Sequence, residues 1–543
     1  MKNFINLKVA IYFLILLFLQ IAFIKFKTTH ISPQKAIKYQ LFNTTNIIDL
    51  IKSDYHISLS LYNKNIIVDA NFTVDIKSPV DTLKLNLYNN LKINCIKVNS
   101  NLINFKHFND IVYVPLNYFK GIANITLQYN GKPRNEGISS FKVVKKDNYY
   151  TLNTINEPFY APTWLACFDN NIDKFNLYMT IEVDTPYIAV SNGKLVSQHT
   201  HNGKNIFQWK TYHPIVPYLV SIYAAKYYVF ADSVKLLNGT YLPLIYYSYK
   251  NNEKLARKFL EDHKGYFHLF ENLFGPYPFY KEKYAFADIN WNGGAIENQT
   301  ISGIGEIFMS DTRQAQEMLI HELSHQWWGN SVTIDNWNDI WLNEGLARYS
   351  EALAVEYFSS IQDYKNFMKD MIFPFYGRLA SPGDNLFSLL VYDKGAWIFH
   401  MLRQRLGDEM FFDFLKSYYN QFKYQTVNTK QFKAFLENFT SKNFDRFFDD
   451  WIYKCKYIPH ISYTYNISQI EKQKYRVEIK LQQYNPQNYV FELPLEIQFS
   501  NANNKEIKNF IFNQKNSIFV TEINFYPKKI TIDPNNKLLL IVK

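Results

Sequence analysis

From about Tyr55 the chain alternates between apolar and polar positions. Val68, Ala70, Phe72, Val74 and Ile76 are separated by Asp69, Asn71, Thr73 and Asp75, and Leu83, Leu85 and Leu87 repeat the period. A period of two marks strands with one face against a core and one towards water. Strand-like runs continue to about Leu242, which predicts an N-terminal antiparallel β-domain, a sandwich or an open sheet, over residues 45–243.

The period then lengthens to 3.6. Leu255, Phe259, Tyr266, Phe270 and Leu273 fall on one helical face, and Gly275-Pro276 predicts where that helix stops. Phe411 to Phe422 and Thr429 to Phe439 read as further helices, and Tyr284 to Ile289 as a strand among the earlier ones. A mainly helical domain is therefore expected over 244–457. Alternation returns after Pro459: Tyr475, Val477, Ile479 and Leu481, then Phe491, Leu493, Leu495, Ile497 and Phe499, predict a small C-terminal β-domain over 458–543. Pro494 cannot donate to a sheet ladder, so its run is expected at an edge or a bulge. The whole reads as a multidomain α+β chain, which agrees with its 543 residues, too many for one core.

Composition changes this picture little. With 47% hydrophobic and 20% charged residues the chain is globular. The formal charge of +11 is dispersed, without the basic stripe that nucleic-acid binding requires, so no nucleic-acid partner is expected. Three widely spaced cysteines, Cys95, Cys167 and Cys455, form no disulfide framework and read as apolar thiols. Asn-x-Ser/Thr triplets at Asn71, Asn124 and Asn238 arise readily in an Asn-rich chain and carry no argument for secretion.

The N-terminus does add something. Val9 to Ile24 carries no charge and is preceded by Lys2 and Lys8. It reads as a signal peptide or a membrane anchor within residues 1–30. No small-x-small cleavage site follows, which favours an uncleaved anchor and a membrane or cell-envelope location, with orientation open.

The chemistry concentrates in His321-Glu322-Leu323-Ser324-His325, inside a stretch expected to be helical from Thr312 to Trp328. Histidines at i and i+4 share a helix face and can bind one Zn²⁺, and the intervening glutamate can reach a water on that metal. The bare motif arises by chance in on the order of one chain in a hundred. Glu344, at the start of a second expected helix, supplies a third ligand and leaves one position for water, as a catalytic site needs. One zinc per chain on His321, His325 and Glu344, with Glu322 as base, makes the chain a metallopeptidase candidate. Glu351, seven residues after Glu344, either supports a ligand histidine or is a solvated glutamate.

Trp327-Trp328-Gly329-Asn330, Trp337-Asn338-Asp339 and the run to Tyr349 closely resemble the M1 (gluzincin) aminopeptidases. So do Gly294-Ala295-Ile296-Glu297-Asn298, with Ile where that family has Met, Phe274-Gly275-Pro276-Tyr277-Pro278 and Tyr392-Asp393-Lys394-Gly395-Ala396. Glu157-Pro158, ten residues before Cys167-Phe168-Asp169, fits the same pattern. The resemblance spans about residues 50 to 543. It implies an N-terminal β-sandwich, a thermolysin-like catalytic domain and a small C-terminal β-sandwich, without the large helical domain many members add. It also implies a zinc-dependent aminopeptidase that cleaves the N-terminal bond of peptides with a free N-terminus by attack of a zinc-activated water. Glu157 and Glu297 then bind the substrate amine, the backbone from Gly294 and Ala295 to Asn298 holds the extended peptide as an added strand, and Tyr392 stabilises the oxyanion. Asn170-Asn171 after Asp169 depart from the Glu-Pro often found there. An endopeptidase, an epoxide hydrolase or a catalytically silent binding protein on the same scaffold are the alternatives. The pair of glutamates favours free N-termini.

Overall fold

The computed structural model describes residues 47–383 and 386–543. The Val9–Ile24 segment lies outside them; among the described residues no helix is long and apolar enough to cross a membrane.

The N-terminal alternation builds a nine-stranded sheet around three long strands, Ile48–Ser60, Asn65–Asn86 and Ile111–Gly131. Val68, Ala70, Phe72, Val74 and Ile76 are buried together, with Tyr55 opposite Ala70 and Ala70 opposite Leu127. The sheet is not wholly antiparallel as expected. Ile48–Ser60 runs parallel to Asn176–Asp184, with Ile57 opposite Ile181. A parallel neighbour requires a long crossover, and here the crossover contains two strands of a second sheet, Lys142–Lys146 and Tyr149–Asn153. That second sheet has four strands, in the order Ile188–Ser191, Ile222–Ala225, Tyr149–Asn153, Lys142–Lys146. Every residue of Ile222–Ala225 is buried, so the strand shows no alternation.

Strands Tyr228–Lys235 and Tyr241–Ser248 do not join either sheet. They pair with the strands of the helical region in a five-stranded sheet that continues through Tyr284–Ile289 and Ile301–Gly305 to Ala295–Ile296. The boundary expected at 243/244 thus falls inside a strand. Helix α1 (Glu253–Phe274) is the crossover between the parallel strands Tyr241–Ser248 and Tyr284–Ile289. Its start is capped by Asn252, whose side chain accepts from the Leu255 amide. Near its end the Glu271 carboxylate takes the amides of Leu237 and Tyr277.

Helices α2 (Arg313–Ser324), α3 (Trp341–Phe358), α4 (Ile361–Asp370), α5 (Leu389–Leu406), α6 (Asp408–Phe422) and α7 (Thr429–Thr440) follow, and a short helical stretch over residues 445–453 ends this region. Trp327, just beyond α2, is fully buried among Phe267, Phe270, Phe274 and Tyr277, and its indole N–H donates to the Gly275 carbonyl at 2.9 Å. Truncating a buried tryptophan typically costs about 3–5 kcal/mol, so this cluster fixes the end of α2 firmly against α1.

The C-terminal segment forms a four-stranded and a three-stranded sheet. Val477, Ile479 and Leu481 of one, and Leu493, Leu495, Ile497 and Phe499 of the other, are buried. Pro494 lies in the central strand of the three, contrary to the edge expectation, but one neighbour pairs only with Ile497–Ser500, so at Pro494 the ladder has a partner on one side alone. The segment is tied to α5 through His400, whose Nε2 contacts the Asn536 carbonyl at 2.8 Å. Cys167 and Cys455 are buried and Cys95 is half-buried, all as free thiols.

Candidate active site

Helix α2 is shorter than its sequence predicts. Thr312 caps its start, and it ends at Ser324, with His325 as the C-cap residue. The Ser324 hydroxyl donates to the His321 carbonyl, and tight turns then take the chain to Gly329. Gly329 has φ +126°, and a Cβ there would stand 3.3 Å from His325 Nδ1, so glycine both makes the turn and leaves room for the imidazole.

The two imidazoles still converge. Their Nε2 atoms are 3.0 Å apart. Glu344, in the first turn of α3, brings Oε2 to 3.3 Å from His321 Nε2 and 3.4 Å from His325 Nε2. The far nitrogen of each ring is already engaged: His321 Nδ1 with Glu351 Oε1 at 2.8 Å, and His325 Nδ1 with the Trp328 carbonyl at 2.9 Å. Both partners can only accept, so each Nδ1 carries a proton, and each Nε2, once it gives up its own proton, presents a lone pair to the shared gap. Three acceptors facing one another require a cation between them. Ligands about 2.0–2.1 Å from a tetrahedral centre lie about 3.3 Å apart, close to the spacing here, and two imidazoles with a carboxylate suit zinc. Glu351 is thereby the support of a candidate ligand and not a solvated side chain.

Charge around this gap is unusual. Burial alone would raise the Glu344 carboxyl, but His325 and His321 outweigh it and hold it at about 2. Burial pushes Glu322 up to about 8 against the pull of the same histidines, and its Oε2 has no protein partner. Burial also raises Glu157 well above the carboxylate range, with Glu297, Glu344 and Glu322 adding to the shift. Oxygens of Glu157, Glu297 and Glu344 lie within 4.8 Å of one another, and both Glu157 and Glu297 have a buried oxygen without a partner. Uncompensated buried carboxylates are costly, so this cluster is built to receive positive charge.

Glu297 follows the edge strand Ala295–Ile296, which pairs with Ile304 and Gly303. Its carbonyl accepts from Asn330 Nδ2 at 2.6 Å, which ties the strand to the loop after α2. Gly294, with φ +135°, and Ala295 remain partly exposed beside it. The Asn298 side chain is fully buried, donates to the Leu219 carbonyl at 3.1 Å and accepts from the Tyr223 hydroxyl, which anchors the backbone expected to hold the substrate.

Tyr392 stands in the first turn of α5 with its ring 5.8 Å from that of His321. Burial, followed by the charges of Glu344, Glu157, Glu297 and Glu322, pushes its phenol well above 10, so it is a permanent O–H donor. Sequence reading overlooked Arg348, which binds both Glu351 and Asp393. Its position four residues after Glu344 and three before Glu351 was the available signal.

Residues 259–451 match the model of the Peptidase family M1 domain, and residues 24–219 that of the Peptidase M1 N-terminal domain. Among curated proteins the chain is similar to probable aminopeptidase 2 of Sulfurisphaera tokodaii, at 24% identity over 79% of this chain and 56% of that protein. It is also similar to leucyl aminopeptidase of Saccharolobus solfataricus, at 22% identity over 83% of this chain and 58% of that one. The chain thus spans somewhat over half the length of these relatives. Among solved structures, Legionella pneumophila aminopeptidase A in complex with aspartic acid aligns with a TM-score of 0.78 and 18% identity, covering 91% of this chain and 59% of that one. An M1 zinc metallopeptidase from Deinococcus radiodurans bound to a Tyr-Ser-Ala substrate aligns with a TM-score of 0.66 and 20% identity, covering 75% of this chain and 94% of that one. At these identities the structural likeness speaks for the fold.

Proposed function

We propose, from the premise that this chain belongs to peptidase family M1, that it is a zinc aminopeptidase that removes the N-terminal residue of peptides. One observation carries the reading: the partnerless carboxylate oxygens of Glu157 and Glu297 sit beside Glu344, one of three donors that could hold a metal. A site that hydrolyses a bond one residue from a chain end needs a mark of that end, and the α-ammonium is that mark. The curated relatives named above are aminopeptidases, which supports the same conclusion.

In this reading His321, His325 and Glu344 hold the zinc, which lowers the pKa of a water molecule towards about 7 and draws charge from a carbonyl oxygen. Glu157 and Glu297 bind the ammonium and so fix which peptide bond lies over the donors. The half-exposed Gly294–Ala295 backbone receives the substrate as an added strand. Glu322 accepts the proton of the attacking water and returns it to the leaving amine. Tyr392 donates its O–H to the oxygen that gains negative charge.

The finer architecture belongs to the same proposal. The N-terminal part is a β-sandwich, the catalytic part is thermolysin-like and begins at Tyr228, where the chain enters the five-stranded sheet, and 458–543 form a small β-sandwich. A membrane anchor at Val9–Ile24 rests on the sequence alone.

The test is a matched pair of peptides, one free and one N-acetylated, given to the zinc-loaded wild type and to Glu297→Ala. Acetylation is expected to abolish cleavage. Glu297→Ala is expected to lose at least about ten- to a hundred-fold in kcat/KM, the worth of one charge-assisted hydrogen bond of roughly 1.5–3 kcal/mol. Cleavage of the acetylated peptide at an internal bond, as fast as the free one is trimmed, would make this an endopeptidase.

A further inference from the structure

We propose that Arg348 is a positioning residue that holds the Tyr392 phenol over the metal-binding cluster. The inference rests on the reading of Tyr392 as the oxyanion donor. Arg348 Nε donates to Asp393 Oδ1 at 3.0 Å, and its NH1 donates to Glu351 Oε2. The other oxygen of Glu351 meets His321 Nδ1 at 2.8 Å. Asp393 is buried and is the residue next to Tyr392 on α5. A continuous path therefore runs from Tyr392 through Asp393, Arg348 and Glu351 to His321, and it joins α5, α3 and α2. The guanidinium is held from a further side by the Phe367 ring, 4.9 Å away.

The path matters because of where Tyr392 sits. The first turn of a helix has the fewest internal hydrogen bonds, so its orientation depends on lateral contacts. The phenol oxygen lies at the far end of a long side chain, where a small tilt of the turn becomes a large displacement. A misplacement of about 1 Å can cost about 10²-fold in rate. Arginine suits the task because its planar fork reaches two carboxylates in fixed directions, whereas a lysine ammonium is a single point donor. Without the guanidinium, the buried Asp393 carboxylate would lose its Arg348 partner and Glu351 would keep only His321.

The experiment uses zinc-loaded Arg348→Gln and Asp393→Asn, each alone and combined with Tyr392→Phe, with kcat, KM and zinc content measured on one aminoacyl reporter. Asp393→Asn is nearly isosteric and leaves the Arg348–Glu351 pair in place, so it reports even if Arg348→Gln fails to fold. The expected result is full zinc content in Asp393→Asn, with kcat reduced about 10- to 10²-fold and KM little changed. In the Tyr392→Phe background the same change should lower kcat by less than about threefold, because both act through one hydroxyl. Equal losses in both backgrounds, or no loss from Asp393→Asn, would overturn the proposal while leaving Tyr392 in its role. A Tyr392→Phe enzyme with wild-type kcat would instead remove the role itself, and the inference with it.

Discussion

Gly345 and Gly395 meet backbone to backbone: a Cβ on Gly395 would stand 2.8 Å from the Gly345 Cα, and a Cβ on Gly345 would stand 2.8 Å from the Gly395 Cα. Helices α3 and α5 can cross this closely only because both positions lack a side chain. The crossing lies next to Glu344 and three residues from Tyr392, so it sets how near the candidate ligand and the phenol come. Gly395→Ala should cost about 1–3 kcal/mol by overpacking, seen as a lower Tm, and should reduce kcat as the helices part. Wild-type values of both would show that the helices separate without consequence.

Glu322→Gln should bind zinc normally and lose at least about 10²–10⁴-fold in kcat, the usual contribution of a positioned base. Metal content by mass spectrometry and turnover on a peptide reporter check both halves. Full zinc with undiminished kcat would transfer the base to another residue.

In the proposed mechanism Tyr392→Phe removes one donor that serves the transition state and not the ground state. A loss of about 2.7–4 kcal/mol, or 10²–10³-fold in kcat, is expected with KM nearly constant. A change in KM alone would place the hydroxyl in substrate binding.

Metal affinity should fall with pH. Burial works against charge on His321 and His325, but Glu344, Glu351 and Glu322 together outweigh it at His321, and Glu344 with Glu297 does so at His325, so both imidazoles are raised above 6.5 in the metal-free protein. Below those raised values zinc must displace protons, so affinity drops about tenfold per pH unit for each proton released, and it levels off above them. Calorimetric titration of the apoprotein with zinc across pH measures the slope. An affinity independent of pH between 5 and 8 would mean that the histidines are not the ligands.

Much of this was legible in the sequence because the relevant signals are local. The period-two run at Val68–Ile76 and the 3.6 period ending at Gly275 each report one strand or helix, and His321, Glu322 and His325 share one turn. The membership of strands was not legible. Tyr241–Ser248 looks like the strands before it, and only its pairing with Tyr284–Ile289 assigns it to the catalytic sheet. The anchoring of the Asn298 side chain was not legible either, because its partners Tyr223 and Leu219 lie 75 and 79 positions away. Arg348 reads as an ordinary helical arginine until Asp393 arrives from 45 positions away.

The parallel pairing of Ile48–Ser60 with Asn176–Asp184 has a kinetic side. Ile57 leaves the ribosome long before its partner Ile181 exists, and at 5–20 residues per second the intervening roughly 120 residues take about 6–25 s to make. During that wait the strand has an antiparallel neighbour on one side and an open ladder on the other, an invitation to mispairing with another nascent chain. Glu297 lies beyond Asn176–Asp184, so it can join Glu157 only after the strand that closes this edge has been made. Speed of translation and chaperone cover over that interval, more than final stability, should decide the yield of folded enzyme.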